Sequence, residues 1–419
     1  MNKKRSAFSG KIGYVLSAAG ASVGLGNIWR FPYLAAKYGG GIFLLVYIIL
    51  ALTFGYTMIV AESALGRMTR KSPVGAFRSF AKGKKVGWLS FGGWINAIIP
   101  VLIVPYYSVI GGWVVKYLFE YIRGNGSKLA EDGYFSGFIS NGGATEICFV
   151  IFCMFTLVII YAGVQNGIER VSKIMMPILI VLSVIIAIYS VTRPGAIEGV
   201  KYFLVPNVKN FSWMTVVAAM GQMFYSLSIA MGILVTFGSY MRKDTSIEDS
   251  TRNVEIFDTA IAMMAGLMII PAVFAFSGGD PDTLQAGPSL MFITIPKVFA
   301  NMGFGTAVGI LFFVLVLFAA VTSSIALTES AVSTFEDELG WGRKKATVLT
   351  GVIMIALGTL SCLGYGPLDF VKIIGMQFLD FFDFLTNSVM MPIAALMTSL
   401  LVSRVIGVDK IEEEIRHGE

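Results

Sequence analysis

The chain has 419 residues, of which 56% are hydrophobic and only 14% charged, and its mean hydropathy is +0.75. A soluble domain carries about 25% charged side chains, so this composition excludes a water-soluble protein of two or three domains. One histidine (His417) and three cysteines without metal-type spacing (Cys148, Cys153, Cys362) exclude a Ser-His-Asp relay, a histidine metal cluster and a disulfide framework.

In chain order, uncharged stretches run from Ile12 to Trp29, Ile42 to Ala61, Val86 to Val115, Ile147 to Ile168 and Ile174 to Thr192. Five more run from Phe211 to Met241, Thr259 to Gly279, Val298 to Thr328, Ala346 to Leu368 and Phe384 to Ser403. Each is near or above the roughly 20 residues that a helix needs to cross the hydrocarbon, which predicts an all-α membrane protein of ten spans. The small residues from Leu16 to Ala21 look like a signal-cleavage site. The apolar core before them, Ile12 to Leu16, is too short for a signal peptide, so the stretch is read as span 1. Roughly two thirds of the 32 Lys and Arg residues fall on the N-terminal side of the membrane, which predicts a multi-pass protein of the cell membrane with both termini cytoplasmic. The net charge of +6 sits in the loops between spans and does not imply nucleic acid.

Most spans are built from Val, Ile, Leu and Phe. Span 1 instead carries three glycines, Asn27 and Arg30 between Gly20 and Pro32, and span 6 carries Gly221, Tyr225, Ser226, Ser228 and Gly232. Backbone groups freed inside a bilayer cost several kcal/mol each unless something satisfies them, so irregular backbone is tolerated only where protein buries it or it lines a cavity. Close packing through small residues would account for either segment alone. Two interruptions five spans apart point instead to a transporter whose site lies between two halves, the second inverted relative to the first. These halves are 1–190, with a cytoplasmic N-terminus, and 211–405; an extracellular connector at 191–210 joins them and a cytoplasmic tail follows at 406–419. Freed carbonyls suit a hard cation and half-helix N-termini attract a carboxylate, so ion-coupled transport of a zwitterion is expected.

The runs Gly24-Leu-Gly-Asn-Ile-Trp-Arg-Phe-Pro32, Gly39-Gly-Gly41, Gly167-Ile-Glu-Arg170, Ser239-Tyr240, Thr322-Ser-Ser324 and Phe335-Glu-Asp-Glu-Leu339 resemble, in order, the signature of the neurotransmitter:sodium symporter family. The resemblance covers nearly the whole chain and implies the leucine-transporter-like fold of the family's bacterial amino-acid transporters, with helices 1 and 6 broken at the midplane. It implies a sodium-coupled symporter that imports a neutral amino acid by alternating access, not an enzyme, with no organic cofactor. Two sodium sites are implied. The first takes the carbonyl of Ser22 with Asn27, Ser226, Asp258 and the substrate carboxylate. The second takes carbonyls of Gly20, Val23 and Ala319 with the hydroxyls of Thr322 and Ser323. Such mostly neutral, all-oxygen shells suit a monovalent hard cation rather than zinc, although Thr322 and Ser323 are also residue types that bond back to the preceding helical turn. Many members have a neutral asparagine in place of Asp258, and chloride-dependent ones borrow charge from a bound anion. A fixed carboxylate here implies that chloride is not required.

By the same resemblance the substrate meets Ala21, Ser22, Leu25 and Gly26 of span 1 and Ile103 and Tyr107 of span 3. Tyr225, Ser226, Ser228 and Met231 of span 6 and Ser323 and Leu327 of span 8 complete its wall. This set holds no charge to pair a charged side chain, and Met231 favours contact with rings, so a hydrophobic or aromatic amino acid is expected. Arg30 and Asp369, above Tyr107 and Tyr225, are the expected outer gate; Arg5 and Asp337, with Phe8, Ser239 and Tyr240, are the expected inner gate. Gly167 and Pro177 resemble the element where span 5 of the family unwinds, an ordinary proline kink being the other reading; the loop from Pro281 to Met302 resembles an extracellular lid, and Glu62 is read as structural. The expected partners are the amino-acid substrate and the lipid bilayer. The oligomeric state is not legible. A non-transporting amino-acid sensor or partner-binding membrane protein of the same fold is the rival reading, and saturable uptake separates it.

Overall fold

A computed structural model describes residues 5–81, 87–280 and 288–417. Among the described residues the structure is helical, and the sole extended pairing is one bridge between Ile373 and Met376. Among the described residues, eight helices are long and apolar enough to cross a membrane. In chain order, α1 (Lys11–Ser22) and α2 (Phe31–Lys37) are two short halves. The helices α3 (Gly41–Thr69), α4 (Gly87–Ile122), α5 (Gly142–Tyr161) and α6 (Val164–Val191) are of spanning length. Then come a second pair of halves, α7 (Trp213–Ser226) and α8 (Ile233–Tyr240). The long α9 (Ile247–Ser277), the short α10 (Leu290–Ala300), and the long α11 (Gly305–Leu339), α12 (Arg343–Leu363) and α13 (Phe378–Ile406) complete the set. The eight long helices coincide with the stretches expected as spans 2–5 and 7–10, and the stretches expected as spans 1 and 6 are the two split pairs.

Burial orders the bundle. In α4 and α11, 78% and 72% of the most apolar window is buried, against 39% in α5, α6 and α13, so α4 and α11 form the centre. The outer helices turn side chains such as Ile151, Val158, Ile185 and Leu396 outward, as a hydrocarbon solvent requires. The α10 helix covers one end: its Phe292 meets Tyr117 and Trp113 of α4, with ring centroids 4.9 and 5.8 Å apart, and Trp29 at 6.5 Å. Residues 281–287 of the loop expected as the lid lie outside the described residues. In α6, Gly167 sits in a π-helical turn (Val164–Glu169) and Pro177 lies within a continuous helix, so the helix is wound through both positions in this structure.

At the face that carries the N-terminus, α3 and α8 pack so closely that a Cβ at Gly238 would stand 2.9 Å from the Ser63 Cα. The fully buried Arg67 of α3 pins the same region to the last described helix, Val408–Arg416. Its guanidinium donates to the Glu414 carboxylate and the Thr245 carbonyl, both at 2.6 Å, and to the Glu414 carbonyl. Removing one partner of a buried ion pair strands the other charge at a cost of about 3–5 kcal/mol. Glu414→Ala should therefore lower the melting temperature of the purified protein by several degrees; an unchanged melting temperature would show that Arg67 does not depend on this carboxylate.

Candidate functional site

The first broken segment stops being α-helical at Ser22. Val23 is extended (φ −76°, ψ 95°), and a π-helical turn starts at Gly26. The amides released there find side chains: Gly24 N–H donates to Asn27 Oδ1 at 3.1 Å and Leu25 N–H to the Tyr107 hydroxyl at 3.2 Å. The released carbonyls of Gly20, Ala21 and Val23 converge on the Ser323 hydroxyl of α11, at 3.2, 3.1 and 3.3 Å. The second break, between α7 and α8, holds Ser228, Ala230 and Gly232 in left-handed backbone (φ 57°, 60° and 74°). Two of these carry a Cβ, an arrangement that costs roughly 1–2 kcal/mol per residue and persists only where the surroundings dictate it. Here Glu62 of α3 accepts the Ala230 amide at 2.9 Å, and the Ser228 hydroxyl donates to the Ala21 carbonyl at 3.1 Å. Glu62, read from the sequence as structural, thus holds the irregular backbone of the second break.

Between the breaks lies a buried polar knot. Asp258 of α9 is completely buried. Its Oδ1 accepts from Asn27 Nδ2 and Ser226 Oγ, both at 2.8 Å, and its Oδ2 from the Tyr47 hydroxyl at 2.9 Å. Asn27 also donates to Ser226 Oγ at 3.0 Å. Three of the four residues expected at the first sodium site are therefore in mutual contact, while the hydroxyl of the fourth, Ser22, bonds back to Ala18 at 3.1 Å. At the second expected site, the Gly20 and Val23 carbonyls meet Ser323 as described, and the Thr322 hydroxyl bonds back to Phe318 and Ala319, at 3.0 and 3.2 Å. The donors at both places are oxygens, the chemistry a hard cation takes. Sequence reasoning missed Tyr47; the signal was a tyrosine inside an otherwise apolar run.

All twelve residues expected around the substrate line one cavity beside this knot, together with Gly24, Asn27 and Ile233. No Asp, Glu, Lys or Arg is among its lining residues. Ile103, Met231, Ile233 and Leu327 supply the apolar wall; Ser226, Ser228, Ser323 and the Tyr107 hydroxyl supply the polar one. Helix starts at Gly26 and Ile233 present positive dipole ends to it, and the ends of α1 and α7 present negative ones.

The residues expected at the inner gate are assembled. Arg5 pairs with Asp337 at 2.6 Å, donates to Ser239 Oγ at 2.9 and 3.1 Å and to Ser333 at 2.7 Å, and stands 5.0 Å from the Tyr240 ring centroid. The buried Phe8 donates its amide to the Tyr240 carbonyl at 3.0 Å. Behind this group, Tyr240 donates to Glu329 at 2.6 Å and Arg343 clasps the same carboxylate at 2.6 and 3.0 Å, a charged layer the sequence reading did not include. The opposite end differs from expectation. Asp369 is exposed and accepts from Gln377, and it does not line the vestibule of Arg30. The acids there are the exposed Asp380 and the half-buried Asp383, because the chain between α12 and α13 carries Asp369 away while the first turns of α13 line the vestibule. Asp383 accepts from Tyr106 at 3.1 Å and Asn387 at 2.6 Å, and Arg30 lies over Tyr225, 5.1 Å from the ring centroid. Tyr225 lines both the vestibule and the cavity beneath, so it is the partition between them.

Comparison with known proteins agrees with this geometry. The chain matches the sodium:neurotransmitter symporter family over residues 5–127 and 134–418. It is 36% identical to the uncharacterized sodium-dependent transporter YhdH of Bacillus subtilis, over 98% of this chain and 90% of that protein. An uncharacterized sodium-dependent transporter of Haemophilus influenzae is 33% identical over 99% of this chain and 92% of its own length. Among solved structures, MhsT in complex with L-phenylalanine superposes with a TM-score of 0.88 at 37% identity, covering 99% of this chain and 93% of that one. A multi-pass helical bundle broken twice around one buried oxygen knot is the form this family takes here: the chain belongs to the sodium:neurotransmitter symporter family, whose members are transporters and not enzymes.

Proposed function

We propose that the chain is a sodium-coupled symporter that imports a neutral, hydrophobic or aromatic amino acid by alternating access, without chloride. The observation that carries this reading is the contact of Asp258, Ser226 and Asn27, within 3.0 Å of one another, beside a cavity whose lining holds no charged side chain. A sodium ion among Asn27, Ser226, Asp258 and the Ser22 carbonyl would neutralise the carboxylate and draw in the substrate's own. The second ion would lie among the Gly20, Val23 and Ala319 carbonyls, Thr322 and Ser323. The Tyr107 hydroxyl and the helix start at Gly26 are the donors for the substrate carboxylate, and the Ala21 carbonyl and Ser228 face its ammonium group. The side chain then packs on Ile103, Met231, Ile233 and Leu327. The bound L-phenylalanine of MhsT supports an apolar or aromatic substrate for this chain as well.

Chloride independence follows from charge. Asp258 supplies, covalently and with three hydrogen-bond donors on it, the negative charge that would otherwise have to be borrowed from an anion. The gates supply the alternation. Arg5–Asp337 closes the face read as cytoplasmic, with side chains 17% and 23% exposed; such part-solvated pairs contribute on the order of 1 kcal/mol or less, weak enough to break in every cycle. Among the described residues no ion pair within 4.0 Å holds Arg30, so the outer gate is Arg30 with Asp383, not yet engaged, above Tyr225 and Tyr107. In this reading 1–190 and 211–405 are the two inverted repeats, 191–210 is the extracellular connector, the tail from 406 is cytoplasmic, and Gly167 and Pro177 let α6 unwind to release the second ion.

A thermal-shift or scintillation-proximity screen of the twenty amino acids, with sodium and with potassium in its place, tests the reading. Binding of leucine-, phenylalanine- or tryptophan-like substrates in sodium alone is expected; binding that ignores the cation, or no binding at all, would overturn it. Replacing chloride by gluconate should leave sodium-driven uptake into vesicles unchanged, and a loss of uptake would show that Asp258 does not replace an anion.

A further inference from the structure

Among the described residues, no hydrogen bond or ion pair holds the buried acid Glu255. Glu255 of α9 is 3% exposed, its Oε1 has no hydrogen-bond partner, and among the described residues no charged group pairs with it within 4.0 Å. It lies one helical turn from Asp258, about 4.5 Å along the axis towards the N-terminal face, and about 10 Å inward from Glu248 near the start of the helix. That the start of α9 is at this face follows from the Lys11–Asp249 pair at 2.8 Å and the bond from Arg242 to the Ser9 carbonyl at 3.3 Å. Asp258 accepts from Tyr47 of α3, and a residue three positions away lies on the same helix face, so Glu255 faces the seam between α3 and α9. The basic residues nearby are engaged elsewhere: Lys11 and Arg252 both pair with Asp249 and are exposed.

A buried carboxylate in hydrocarbon is expensive unless a positive charge joins it, and here the protein supplies none. We propose that Glu255 binds a monovalent cation of its own, Na+ or H+, and forms with Asp258 a two-step carboxylate path between the first sodium site and the cytoplasmic face. The inference rests on the symport reading for the identity of that first site. An ion leaving Asp258 towards the closed face meets Glu255 one turn on, and the charge-compensated carboxylate lowers the barrier for that departure. The sequence marks this residue only as an acid three positions before Asp258.

The test compares wild type, Glu255→Gln and Glu255→Asp, each purified and reconstituted. Sodium-dependent amino-acid binding at equilibrium should survive in all three, because Glu255 touches neither the cavity nor the Asn27–Ser226–Asp258 contact. Failure in wild type would strike the symport reading and not this one. Uptake into vesicles should fall at least about tenfold in Glu255→Gln and be retained in Glu255→Asp, as expected for an intramembrane charge on an ion path. Two further readouts identify the ion. If Glu255 takes sodium, radioactive-sodium binding falls by one ion per protein in Glu255→Gln. If it takes a proton, the sodium count is unchanged, and the proton release seen with an indicator dye on sodium addition falls by one. Unchanged uptake, sodium count and proton release in a folded Glu255→Gln protein would overturn the proposal and leave Glu255 a static neutral acid.

Discussion

Inside hydrocarbon no water is at hand to satisfy a peptide group, and each unmet N–H or C=O costs several kcal/mol. The bundle is organised around two places where the chain accepts that exposure and then offsets it with side chains. Tyr107 and Asn27 take the amides released by the first break, Glu62 takes one from the second, and Ser323 gathers three carbonyls. Most of these groups come from helices that are themselves unbroken: α3 sends Glu62 and Tyr47, α4 sends Tyr107, α9 sends Asp258 and α11 sends Ser323. The long helices are the rigid supports of the site, and the broken ones are its substance.

This division explains the charge economy of the interior. Where buried ions are fully partnered they are fixtures: Arg67 with Glu414, and Glu329 with Arg343 and Tyr240, each clasped by two or more bonds. Where they lack an opposite charge they are the groups proposed above as stations for the ligands. Asp258 is surrounded by neutral donors alone, Glu255 has no partner for one oxygen, and Arg30 rests on a ring rather than on an acid. A positive charge moving through the bundle would find its stations at the incomplete sites and would not disturb the complete ones.

Much of this was legible in the sequence because hydrocarbon is a strict solvent. Close packing through small residues would account for either span 1 or span 6 alone, but not for two interruptions five spans apart, and the broken backbone stands where those glycines, asparagine and serines predicted it. The cavity gathers the twelve residues expected there because they flank the breaks or lie on the central helices α4 and α11. What escaped was what pattern cannot encode. Tyr47 looked like one more apolar-run aromatic until α3 and α9 were brought together. Asp369 and Asp383 are both acids near the start of the last long helix, and only the path of the chain between α12 and α13 decides which faces Arg30. Glu329, Arg343 and Glu62 were visible as charges next to apolar runs, but their partners are distant in sequence.

The central claim is that the cation and the zwitterion share one knot of oxygens, so each must raise the affinity of the other by the same factor. A sodium titration of the purified wild-type protein, followed by isothermal calorimetry or tryptophan fluorescence with and without a saturating amino-acid substrate, tests this most directly. The account requires the apparent sodium Kd to fall when substrate is present, by the factor by which sodium lowers the substrate's own Kd. A sodium Kd that is the same with and without substrate would contradict it, because the two ligands would then not meet at Asn27, Ser226 and Asp258.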